Sequence, residues 1–176
     1  LLTYALTVGA DSFSMSGGGK RFSGIELINT QTFELEGISD IAIKNYSSDI
    51  FILPSDDETL VIKEYVSKRM NRTPFITVKQ NGERLNIEAD RYNNRSWIVL
   101  GSTYRCLEIY LPASYHQALT AETGSGDIFS DMNLSFTTFS LSGNSSDVSL
   151  AELTAESVSI STSSGDILVK RLDGDK

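Results

Sequence analysis

One motif returns in fixed phase along this chain, and it limits the folding more than any other feature. In "VSISTSSGDILV" (158–169), apolar residues stand eight and six positions before Asp166, Ser164 and Gly165 come just before it, and Ile167 follows. The same phase is found around Asp147 in "FSLSGNSSDVSL", around Asp127 in "LTAETGSGDIFS" and around Asp49 in "IAIKNYSSDIFI". From Asp127 to Asp147 is a step of 20, from Asp147 to Asp166 a step of 19, and from Asp49 to Asp127 a step of 78, close to four such periods.

A repeat of this length, with alternating apolar residues broken by a small-residue turn, is what stacked β-coils require. One coil cannot bury its apolar edge alone, and stacked neighbours complete the core. Within each copy the positions between the apolar ones carry Ser, Thr, Lys or Glu, the period of two of a half-buried strand. Gly126 and Gly165 fall where a sharp arc favours positive φ, and the Ser and Asp side chains can bond backbone groups that the turn leaves unpaired. Ser48 and Ser146 take the glycine position in the other two copies, which raises the question of whether all four turns share one shape.

With 176 residues and 40% hydrophobic content the chain can bury a single core, and its one cysteine, Cys106, excludes an internal disulfide framework. Residues 1–21 read as a hydrophobic remnant ("LLTYALTVGA") followed by a flexible spacer. Ten mostly apolar residues are too few to cross a bilayer, which needs ~20. Residues 22–176 read as one all-β domain. Its part 22–112 holds irregular strands with a hairpin at Asn81-Gly82, and its part 113–176 holds the regular repeats, cut short within a repeat at "KRLDGDK".

Charge divides along the same line. Residues 59–105 carry nine Lys or Arg against four acids, whereas residues 106–169 carry eight acids and no Lys or Arg. A net charge of -8 argues against nucleic acid as a partner, since that would require a basic face tracking phosphates. Arg69, Arg72 and Arg84 in the basic part are candidates for contact with an anionic polymer, and Tyr104, Tyr110 and Tyr115 are candidates for stacking on a sugar or peptide. The 14 Ser and six Thr of residues 106–169 alternate with core positions and are expected to face outward as ladders.

Stacked aspartates would lie ~4.8 Å apart and repel by ~0.9 kcal/mol in water or ~3.5 kcal/mol at an effective dielectric of 20. Hydrogen bonds from N–H groups and Ser hydroxyls of each aspartate's own turn are the expected compensation. A bound calcium is disfavoured, because a single Asp per repeat supplies too few oxygens in one place. Asp49, Gly126, Asp127, Asp147, Gly165 and Asp166 are accordingly read as structural turn residues, with no cofactor and no metal.

The four copies, the entry strand "FSGIELI" and the passage "CLEIYLPASYHQALTAETGSGDI" resemble the adhesin-like (DUF4097-like) bacterial family of β-strand-repeat proteins over residues 22–176. The resemblance implies a right-handed single-stranded parallel β-helix, or β-solenoid, on the outer side of a bacterial membrane, often tethered by a hydrophobic segment upstream. It implies no chemistry and no agreed binding residues.

An enzyme acting on polysaccharide would need an acid and base in a cleft, or calcium with a basic residue nearby. His116 is the sole histidine, and no phosphate loop, nucleophile motif or clustered metal ligands occur, so no catalytic residue is assigned. The expected function is non-catalytic binding of an envelope polymer, a glycan or a surface protein. The alternative is a membrane-tethered ectodomain serving as stress sensor or scaffold.

Overall fold

The computed structural model describes residues 24–68, 70, 72–90 and 104–174, so the expected remnant and spacer at 1–21 lie outside the described residues. Eleven β-strands and no helix are found among them. They are β1 (Ile25–Glu34), β2 (Asp40–Asn45), β3 (Asp49–Ser55), β4 (Thr59–Ser67), β5 (Ile76–Asn81), β6 (Arg84–Ala89), β7 (Arg105–Pro112), β8 (Ala118–Thr123), β9 (Ile128–Ser145), β10 (Val148–Ser164) and β11 (Ile167–Asp173).

The repeats fold as coils of two arms joined at the Asp-bearing turn. β2 and β3 make one coil, β8 and the first half of β9 the next, then the second half of β9 with the first half of β10, then the second half of β10 with β11. First arms pair in parallel with first arms and second arms with second arms. Because β9 and β10 each run through a corner into the following coil, the eleven strands form one continuous sheet bent around its own interior. The architecture is that of a β-solenoid-like, all-β protein.

Alternation places one residue in two of each strand inside. In the first-arm stack Leu85, Ile41, Leu119, Phe139 and Val158 lie in one row, and in the second-arm stack Leu107, Ile50, Ile128, Val148 and Ile167 lie in another. The buried members of both rows belong to one hydrophobic cluster, so the two stacks face each other across a shared core. Exposure along the second row is 0% at Ile50, 0% at Ile128, 1% at Val148 and 44% at Ile167. Each coil is thus sheltered by the coil that follows it.

Three expectations need correction. The interval between Asp49 and Asp127 is not four stacked coils: Ile50 pairs directly with Ile128, and the segment between is an excursion to the other side of the β2–β3 coil. In that excursion β6 joins β2 and β7 joins β3 in parallel, while β4 runs antiparallel between β1 and β7. The N-terminal half is therefore not a single-stranded parallel helix, because the β1–β4, β4–β7 and β5–β6 pairs are antiparallel. The β5–β6 hairpin turns on Gly82 and Glu83, one residue later than Asn81-Gly82, with Asn81 paired to Arg84 and Gly82 at φ 61°. Positive φ at the first central residue alone fits a type II′ turn, which needs Gly there.

The neighbour-only stacking makes a position-dependent prediction. Ile128→Ala should cost about 2–5 kcal/mol, whereas Ile167→Ala in the same row should cost under about 1 kcal/mol, since much of its surface is already wet. Urea denaturation of the two variants checks this; equal losses would contradict it.

Candidate functional site

Three surfaces gather the residues that the sequence singled out. The first is the turn edge. Asp49, Asp127, Asp147 and Asp166 stack on successive coils, and each of the first three carboxylates accepts the N–H of the next aspartate: Asp127 N to Asp49 Oδ1 at 2.9 Å, Asp147 N to Asp127 Oδ1 at 3.0 Å, and Asp166 N to Asp147 Oδ1 at 2.9 Å. A compensating donor is thus supplied by the neighbouring coil, where donors of the aspartate's own turn were expected. In the opposite sense the residue after each aspartate donates to the next aspartate's carbonyl, with Ile50 N to Asp127 O at 2.8 Å, Ile128 N to Asp147 O at 2.9 Å and Val148 N to Asp166 O at 2.8 Å. Donor and acceptor thus alternate up the ladder, and the carboxylates serve as extensions of the sheet's hydrogen bonding.

The residue before each aspartate alternates Ser48, Gly126, Ser146, Gly165 up the stack. A Cβ on Gly126 would lie 1.8 Å from the Ser48 carbonyl oxygen, and one on Gly165 would lie 2.4 Å from that of Ser146. Gly165 also has φ 128°, whereas no positive φ is found at Gly126, Ser48 or Ser146. The turns therefore do not share one shape. Gly126 is required by close approach, and Gly165 by both approach and conformation. Below them Asn45 donates to the Ser48 carbonyl and to Thr123 Oγ1 at 3.0 Å, and Thr162 Oγ1 bonds the Ser146 carbonyl at 3.2 Å, so the turn carbonyls are satisfied from inside.

The second surface is the outer face of the first-arm stack. Between the core positions of β8, β9 and β10, three rows point outward: Ala118, Thr138, Ser157; Thr120, Ser140, Ser159; and Glu122, Ser142, Ser161. On β2 the rows continue to Asp40, Ala42 and Lys44. Strand spacing sets these hydroxyls ~4.8 Å apart across the stack, and alternation sets them ~6.8 Å apart along each strand. No side chain in β9 or β10 at these positions exceeds Thr, which keeps the face flat.

The third is the outer side of β7. Tyr104, Cys106, Glu108 and Tyr110 share it, whereas Leu107, Ile109 and Leu111 enter the core. Tyr104 donates to Asp49 Oδ2 at 2.8 Å, which ties this side to the foot of the ladder. Tyr65 and Tyr110 both donate to Glu108 Oε2 at 2.9 Å. Burial raises the Cys106 thiol well above its usual range, and the carboxylates of Glu108 and Asp49 raise it further, which favours the thiol over the thiolate. Burial likewise raises Tyr65, Tyr104 and Tyr110, helped by the Glu108 carboxylate at Tyr65 and Tyr110 and by Cys106 and then Asp49 at Tyr104.

The remaining candidates separate. Tyr115 is not on the surface: it is 6% exposed, packs edge-on against Phe136 and donates to the Ala118 carbonyl at 2.9 Å. Arg72 pairs with Glu26 of β1, and Arg84 pairs with Asp40 of β2 at 3.1 Å. Arg72 stands before the start of β5 and Arg84 follows its end, so the length of that strand lies between them. Arg69 lies outside the described residues. His116 is exposed, with Nδ1 3.2 Å from the Ser135 carbonyl oxygen. A cleft of about 590 Å³ near the corner opposite the turns is lined by Glu34, Glu36, Glu58 and Glu83, with Ser39 donating to Glu83 at 2.9 Å.

Two buried carboxylates escaped the sequence reading. Glu64 accepts from Asn29 at 2.6 Å, Gln31 at 3.3 Å and the backbone N–H groups of Phe75 and Ile76 at 2.7 and 3.1 Å, and so holds the start of β5. Glu108 is described above. The available signal was a Glu inside a dense apolar run, "TLVIKEYV" and "CLEIYLP" respectively.

Among the described residues no group of three or more His, Cys, Asp and Glu is placed to hold a metal ion. Asp49, Asp127 and Asp147 each commit Oδ1 to a neighbouring N–H, and thermal melts in calcium and in chelator should coincide. Asp147→Asn, which keeps the acceptor and removes a charge, should leave Tm unchanged or raised, while Asp147→Ala should lower it by about 2–4 °C. Gly126→Ala should cost about 1–3 kcal/mol in denaturant titration because the Ser48 carbonyl has to move.

Comparison with known proteins places this geometry. The Toastrack DUF4097 family profile matches residues 38–173. No curated protein sequence matches the chain. A "putative cell adhesion protein" from Clostridium sporogenes superposes with a TM-score of 0.53 at 11% identity, covering 84% of this chain and 98% of that one. A "putative adhesin" from Parabacteroides merdae gives 0.54 at 10% identity, covering 86% of this chain and 58% of that one. At such identities the likeness is one of fold. The family match spans the coils, the turns and the excursion between them, and on that ground the chain belongs to the Toastrack DUF4097 family.

Proposed function

We propose that this chain is a non-catalytic, adhesin-like binding module at the outer side of a bacterial envelope, wound as a right-handed coil, and that its ligand is a glycan or wall polymer. The observation that carries the reading is the flat hydroxyl face of β8, β9 and β10, whose rows of Ser and Thr repeat in two directions. A repeating polymer can match such a lattice along its length, and each hydroxyl both donates and accepts. The face carries little charge beyond Glu122 and the β2 residues, so recognition there would rest on hydrogen bonding and shape more than on ion pairing. The adhesin names of structurally similar proteins support the reading. So does the burial of Cys106, which favours its thiol over the reactive thiolate.

Co-sedimentation with isolated bacterial envelopes at low and high salt tests this. The double variant Ser140→Arg/Ser159→Arg, with unchanged Tm, should lose binding roughly tenfold or more, and wild-type binding should vary little with salt. Salt-sensitive binding that survives in the double variant but is lost in Arg72→Glu would instead assign recognition to the basic part of the chain.

A further inference from the structure

Glu108 stands at the centre of β7 on the side away from the main core, and its exposure is 0%. Both tyrosine hydroxyls converge on one oxygen, Oε2, whereas Oε1 is buried without a hydrogen-bond partner among the described residues. The cation nearest in the pairing register, Lys63 directly across the β4–β7 pair, sets its ammonium 4.5 Å from the centre of the Tyr110 ring. A carboxylate so placed has lost water on one oxygen and gained nothing there, which is costly for the charged form and far less so for the neutral acid.

We propose that Glu108 is a proton-operated clasp between β7, β4 and β3: uptake of a proton removes the buried charge and tightens this layer of the sheet when the surroundings acidify. The arrangement is independent of which ligand the hydroxyl face takes. Its surroundings among the described residues are Lys63 and Tyr65 on β4, Cys106, Tyr104 and Tyr110 on β7, Asp49 on β3, and the exposed Asp131 beyond Phe129 on β9; on β1 the residue opposite Lys63 is the uncharged Thr30. Of these, Asp49 already bonds Tyr104 and the Asp127 N–H.

Burial raises the Glu108 carboxyl above its usual range, and the hydroxyls of Tyr65 and Tyr110 and the Lys63 charge pull it partly back. A folded-state value above the unfolded one means the neutral acid favours folding. That contribution is complete below the ordinary carboxyl range and is lost as pH rises through the raised folded value.

The experiment is a carboxyl ¹³C NMR titration of the folded protein with labelled glutamate, together with Tm against pH for wild type and Glu108→Gln. One carboxyl should titrate above all other glutamates and be absent from Glu108→Gln, and the Tm of wild type relative to Glu108→Gln should rise as pH falls. Tyr65→Phe and Tyr110→Phe each remove a donor to the carboxylate and should move that midpoint further up. Should Glu108→Gln fail to fold, these two variants carry the test. A set of glutamates that all titrate together, a pH-independent Tm difference, or a midpoint that Tyr65→Phe leaves unmoved or lowers would overturn the proposal.

Discussion

Coil is fastened to coil at the turn, where the N–H of one aspartate meets the carboxylate of the aspartate beneath it and the following N–H bonds the carbonyl above. In an ordinary parallel ladder a turn breaks the pairing, because its backbone groups point away from the strand plane. Here the Asp side chain bridges that break, so pairing passes from the first arm through the turn into the second without loss of register. The like charges stacked along this edge are tolerated because Asp49, Asp127 and Asp147 each face a fixed N–H dipole. Ile50, Ile128 and Val148 fall into one core row only because this register holds.

The same closeness sets the steric rule at the preceding residue. A turn carbonyl occupies the space where the next coil would place a Cβ, so Ser48 and Ser146 are followed by Gly126 and Gly165. The alternation of Ser and Gly is a packing pattern between coils and not variation within one turn type. It appears once the coils are stacked in their real order.

That order also explains the irregular half of the chain. The β2–β3 coil has neighbours on both sides, β8–β9 and β6–β7, and the latter is built by residues that come later in sequence. β4 then runs antiparallel on the far side of β7, with β1 beyond it, and Glu64 satisfies the backbone donors where β5 begins. Because the outer side chains of β7 are flanked by Tyr65 of β4 and Phe51 of β3, those positions can hold a thiol and a carboxylate out of water. The regular half instead leaves one face open and paved with hydroxyls. The two halves thus offer different chemistry on the same scaffold, a sheltered ionisable group in one and a wettable lattice in the other.

The sequence by itself determined the strands, the turns and the inward rows of the regular coils, because alternation with period two and the Ser-Gly/Ser-Asp phase are local signals that the solenoid repeats unchanged. It also implied the outward Ser and Thr. It did not show that Asp49 and Asp127 are neighbours, since a gap of nearly four periods fits four coils as well as one excursion. Nor did it separate Tyr115, which enters the core, from Tyr104 and Tyr110, which do not, because a strand end can turn an aromatic either way. The burial of Glu64 and Glu108 was hidden for the same reason: whether a Glu within an apolar run meets water or two tyrosine hydroxyls depends on which strand lies beside it. Those choices rest on pairings between residues distant in sequence, and only the tertiary structure makes them.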